Sequence, residues 1–151
     1  MITKGARLHF LVAFVSRDQS RCCLELAVRL AVANQARITI LKVLANPHAV
    51  GVVAELIATD EPFILANSEV QSVVDELISD ELDVKAVVRK VDNVAEGIVS
   101  IAIELGVDMV FLGTRDVKHP SGLIIENDPI ANYVLERCPA NVVLVRERND
   151  V

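Results

Sequence analysis

Few side chains in the 151-residue chain have the types and spacing for chemistry. Cys22 and Cys23 are adjacent and lie early in an expected helix, where the dipole favours a thiolate and hence redox sensing. Cys22 also falls on an apolar stripe, and adjacent cysteines bridge only with strain, so core packing is the favoured reading. Cys138 has no His or Asp beside it and reads as a small residue between a helix and a strand. His9, His48 and His119 lack metal-ligand spacing, so no metal is assigned. Arg17 and Arg115 follow the first and fourth expected strands. Facing one crevice they would hold an anion; the favoured alternative is surface ion pairing with Asp18 or Asp116. No Gly-x-Ser-x-Gly, P-loop or paired-carboxylate arrangement commits the chain to hydrolysis or phosphotransfer, and no catalytic residue is assigned.

The elements that must position these groups follow from patterning. Leu8 to Val15 is an unbroken apolar run of strand length, as expected for a strand buried on both faces. A helix follows, with Cys22, Leu26, Ala27, Leu30 and Ala31 on its stripe and Ser16 or Asp18 as cap. Arg37 to Leu44 is a second strand. Ala49 to Thr59 has the pattern of a short helix, and Asp60, Glu61, Pro62 and Asn67 read as loop. From Glu69, Val70, Val73, Val74, Leu77 and Ile78 share one helical face. Val84 to Val91 is a more polar strand, placed near an edge. Asn93 and Glu96 have capping-box spacing before the stripe Val94, Ile98, Ile101, Ala102 and Leu105, which Gly106 stops. Asp108 to Leu112 is a fourth strand. Asp128-Pro129 then caps a helix whose packed side is Ile130, Val134 and Leu135, and Asn141 to Arg146 is the fifth strand. The alternation implies one α/β domain over 1–151, an open five-stranded parallel sheet with helices on both faces. Ligands of such sheets sit beyond the carboxyl ends of the strands.

Composition narrows the function. Hydrophobic residues are 52% of the chain and aromatic ones 3%, so the core is aliphatic and disorder is excluded. The net charge is -6, without a basic cluster or stacking aromatics, which argues against nucleic acid. The longest uncharged stretch, Val43 to Ala54, is 12 residues and too short to span a membrane. Odd cysteine usage does not make a secreted disulfide framework, and a cytoplasmic location is expected. Between Val43 and Val84 there is no Lys or Arg and every charged residue is acidic. That block reads as a solvated helix face, with docking of a basic protein partner as the sharper alternative.

Three stretches carry a resemblance: Gly106 to Arg115 (GVDMVFLGTR), Ile130 to Leu135 (IANYVL) and Cys138 to Arg146 (CPANVVLVR). Together they resemble the universal stress protein family, of adenine nucleotide alpha hydrolase-like fold. The resemblance implies strand order 3-2-1-4-5 and a homodimer formed through the last strand, Asn141 to Arg146. It also implies adenine contact at Val43 and phosphate contact at Gly113, Thr114 and Arg115. Many members bind ATP through Gly, two residues, Gly, nine residues, then Gly-Ser/Thr, with an Asp after the first strand. Here Gly113 fits, but the later positions fall on Asp116, Glu126 and Asn127, and Val15 replaces the Asp.

These departures act on charge. A carboxylate about 6 Å from a phosphate costs about 2 to 3 kcal/mol at an effective dielectric of about 20. Asp116, Glu126 and Asp128 are all expected near the phosphate position, and Asp128 supplies the anion that a helix terminus favours. Arg115, Lys118 and His119 oppose them. The expected function is a dimeric regulatory stress-response module that does not bind ATP through the usual motif and has no cofactor. The alternative is a sensor of ATP or another adenine nucleotide with a rebuilt phosphate loop.

Overall fold

The computed structural model describes residues 7–46, 61–115 and 128–147. Its elements are β1 (His9–Ala13), α1 (Arg21–Asn34), β2 (Arg37–Ala45), α2 (Glu61–Leu77), β3 (Asp83–Val91), α3 (Val94–Leu105), β4 (Met109–Arg115), α4 (Pro129–Arg137) and β5 (Asn141–Glu147). All strand pairs are parallel, in the order β3-β2-β1-β4-β5 expected above. The segments around His48, Ala49 to Thr59 and Asp116 to Asn127 lie outside the described residues.

Successive residues of a strand point to opposite faces, and β1 fills both. Phe10, Val12 and Phe14 pack with Cys23, Ala27 and Ala31 of α1 and with Val70 and Val73 of α2. Leu11 packs on the other side with Ile98, Ala102, Ala131 and Val134 of α3 and α4. The aliphatic bias is thus a consequence of two cores sharing one sheet. Phe10 and Phe111 are the aromatic pair, with ring centroids 5.2 Å apart. Among the described residues no helix is long and apolar enough to cross a membrane.

Several local expectations are corrected. The buried stripe of α1 is Cys23, Ala27 and Ala31, while Cys22, Leu26 and Leu30 are half-buried beside it. Its N-cap is Ser20 rather than Ser16 or Asp18, and the Ser20 hydroxyl accepts the Val15 N–H at 2.8 Å instead of one from the helix. The second helix begins at Glu61, not Glu69, because Pro62 falls in the first turn, where its missing N–H leaves no bond unmade. Ile78 lies beyond that helix and is 54% exposed. On α4, Ala131 and Val134 are buried, whereas Ile130 and Leu135 are largely exposed; small Ala131 allows close approach to the sheet.

Other features agree. The Asn93 side chain accepts the Glu96 N–H at 3.1 Å, and Gly106 ends α3 with φ 62°, where glycine is favoured. β3 and β5 are the sheet edges.

The opposite end of the sheet holds a buried histidine. The His9 N–H donates to Asp108 Oδ2 at 2.8 Å, and the Asp108 N–H returns a 2.8 Å bond to the His9 carbonyl. The imidazole Nε2 lies 2.7 Å from Thr39 Oγ1, while Nδ1 meets no partner among the described residues. Burial holds the His9 pKa below its ordinary 6.5, helped by Arg37 and Lys85 and opposed by Asp108 and Asp83. The folded state therefore favours the neutral ring. Stability from this source is complete above pH 6.5 and is lost as the pH falls below it, because the unfolded chain takes up the proton first. Urea midpoints of the wild type and His9→Gln should consequently converge between pH 7.5 and pH 5.5; a gap independent of pH would contradict this account.

Candidate functional site

The carboxyl ends of β1, β2 and β4 open into a cavity of about 270 Å³. Its walls are mostly aliphatic: Ala13, Leu41, Val43, Ile98, Leu112 and Ala131 among them, with Phe14 at one side. Gln19, Ser20, Lys42 and Asp128 supply the polar side chains. Lys42 is already matched, since its Nζ pairs with Glu69 of α2 and lies 5.8 Å from the Phe14 ring centroid. The parallel topology explains the location, because every strand leads into its helix at this end of the sheet and loops converge there.

Of the residues expected to contact a nucleotide, Val43 and Gly113 line the cavity. Thr114 is buried within β4 and is not among the lining residues. Arg115 closes β4, and its side chain, like Asp116, Lys118, His119, Glu126 and Asn127, lies outside the described residues. Val15, at the position of the family's acidic residue, also lines the cavity and is 57% exposed.

Arg17 does not face the cavity. Its guanidinium grips both oxygens of Glu76 at 2.9 and 3.0 Å and donates to Ser72 Oγ at 3.0 Å. The surface ion pair expected with Asp18 or Asp116 therefore forms with α2 instead. The fork geometry of a guanidinium suits a carboxylate held two turns along a helix better than a neighbour in its own loop. This bond raises the Arg17 pKa and holds the Glu76 carboxyl below its ordinary range.

Two helix amino termini border the cavity, and each holds a carboxylate of the chain. Asp128 Oδ1 accepts the Ala131 N–H at 3.0 Å, as the sequence predicts. The second was not foreseen. Glu147, the last residue of β5, accepts the Cys22 N–H on Oε1 and the Cys23 N–H on Oε2, both at 2.7 Å. Glycine at 113 permits this seat, since a Cβ there would lie 2.9 Å from Glu147 Cγ. Strand register carried the only sequence signal: Gly113 pairs with Val145, so Glu147 must project beside it on the α1 side of the sheet.

The same carboxylate affects the cysteines. Burial pushes the Cys23 thiol up to about 12, reinforced by the charge of Glu147 and by Cys22. Cys23 is a core thiol rather than a redox centre. All three cysteines are free, and Cys22 and Cys138 are half-buried. No group of three or more His, Cys, Asp and Glu able to hold a metal occurs among the described residues.

The universal stress protein family model matches residues 7–146, nearly the whole chain. The chain belongs to the universal stress protein family. Solved structures agree on the fold. Universal stress protein UspA from Lactobacillus plantarum is similar at 22% identity and TM-score 0.60, over 94% of this chain and 100% of its own. The universal stress protein from Archaeoglobus fulgidus in complex with dAMP is similar at 13% identity and TM-score 0.66, over 93% of this chain and 98% of its own. A universal stress protein in complex with cAMP shows 18% identity and TM-score 0.58, over 95% and 100% of the two chains. A search of curated protein sequences finds no match.

Asp128 has a measurable structural share in this family fold. Asp128→Ala should lower stability by about 1 kcal/mol through loss of the helix cap, and Asp128→Asn by much less. Urea unfolding checks this, and equal effects of the two changes would show that the cap is not responsible.

Proposed function

We propose that this universal stress protein family member is a dimeric regulatory module of the cytoplasmic stress response whose crevice does not take ATP through the family's usual glycine motif. The carrying observation is the Asp128 carboxylate seated on the Ala131 amide, at a helix terminus that would otherwise attract phosphate. Cavity size agrees with it. At about 270 Å³ and with aliphatic walls, the space is at the small end of ligand pockets and suits a compact apolar body better than a triphosphate. On this reading the resting protein carries no cofactor and performs no catalysis.

A second reading has specific support. Val43 and Gly113 both line the cavity, and two structural neighbours are described in complex with dAMP and cAMP. An adenine nucleotide sensor would use Val43 with Gly113, Thr114 and Arg115. Calorimetric titration separates the two: no ATP binding in the micromolar range is expected, and micromolar binding would replace the first reading by the second. Mass spectrometry of the purified protein adds a check, with no co-purifying nucleotide expected.

The proposed dimer forms along the free edge of β5, where an unpaired apolar strand otherwise invites aggregation. Val143 and Val145 pack into the core under α1, so a charge there would test folding rather than association. Sedimentation of the wild-type chain is the cleaner measurement. It should give twice the 16.4 kDa chain mass, and a monomer at micromolar concentration would overturn the dimer. The acidic surface of α2 offers a docking face for a basic protein partner, with Asp75 among its exposed carboxylates.

A further inference from the structure

The cavity contains no unmatched cation among its described lining side chains, and its wall at β4 is backed by a fixed negative charge. Lys42 is paired with Glu69, and Asp128 is itself an anion. Behind Gly113 stands Glu147, with its carboxylate Oε2 3.1 Å from where a Cβ of residue 113 would be. The carboxylate does not swing freely. Two charge-assisted bonds of 2.7 Å hold it on the first turn of α1, where the helix dipole also favours it. Ser20, the residue that begins that helix, lines the cavity together with Gly113. A ligand reaching the β4 wall therefore meets a carboxylate across a glycine that provides no side-chain shield.

We propose that Glu147 sets the charge selectivity of the cavity, admitting a compact uncharged ligand of nucleoside type and rejecting its phosphorylated form. The proposal rests on the reading of this cavity as the ligand site and adds the residue that discriminates. Discrimination of this kind needs a repulsive element as well as an attractive one. The aliphatic walls attract by burial and accept either ligand equally. Glu147 repels only the anion, and its position across the thin β4 wall makes that repulsion short-ranged and weakly screened.

The test compares the wild type with Glu147→Gln and Glu147→Ala by calorimetric titration with adenosine, AMP and inorganic phosphate. Adenosine should bind all three proteins with similar affinity. AMP should bind the wild type about tenfold or more weakly than adenosine, and removal of one like charge at short range should narrow that ratio to about threefold or less in both variants. Inorganic phosphate should bind Glu147→Ala about tenfold or more tightly than the wild type. Phosphate affinities that stay equal across the folded proteins would overturn the role of Glu147, whatever adenosine does. Failure of adenosine to bind any of the three would instead remove the reading of the cavity as a nucleoside site. Thermal melting establishes that each variant is folded; should Glu147→Ala not fold, Glu147→Gln keeps an acceptor oxygen for the α1 amides and decides the matter.

Discussion

A parallel sheet covered by helices on both faces has nowhere to place a polar side chain in its middle, and this constraint arranges the rest of the molecule. Phe10, Leu11 and Val12 of β1 and Val110 and Phe111 of β4 are almost wholly buried on alternate faces. Polar atoms are driven to the two ends of the strands. At the amino ends they form the network of His9, Thr39 and Asp108. At the carboxyl ends they surround the cavity, where chain direction also brings helix amino termini and their unpaired N–H groups.

Those N–H groups need anions, and the chain supplies them from its own side chains. Asp128 serves α4 from the adjacent position, and Glu147 serves α1 from 125 residues away in sequence. The positive ends that a relative can turn toward phosphate are in this chain already neutralised, and the site loses attraction for phosphate without losing its apolar shape. The acidic block from Val43 to Val84 finds a similar resolution. Glu76 is held by Arg17, Glu69 by Lys42 and Asp83 by Arg7, so part of the block pairs with basic residues from α1's approach, β2 and the start of the chain.

What could be read from the chain and what could not divide along range of interaction. Asn93 and Asp128 were legible as caps because the donors they satisfy are three residues away. The strands were legible because burial on both faces writes an unbroken apolar run. The start of α2 at Glu61 was missed because Pro62 and Asn67 have loop propensities that the first helical turn and tertiary packing override. Arg17 was assigned to neighbours in sequence, whereas its partner is on another helix.

The sequence by itself determined the order of elements, the two-sided core and the altered glycine motif, because periodicity and local capping depend on residues within a turn or two of each other. Family resemblance added the strand order. Only the tertiary structure decided that Val43 and Gly113 share one cavity, that Arg17 is turned away from it, and that Glu147 lies behind Gly113 on the first turn of α1. The physical reason is that electrostatic contacts are set by distance in space: the register of β5 on β4 brings a carboxylate to amides that no local pattern connects to it.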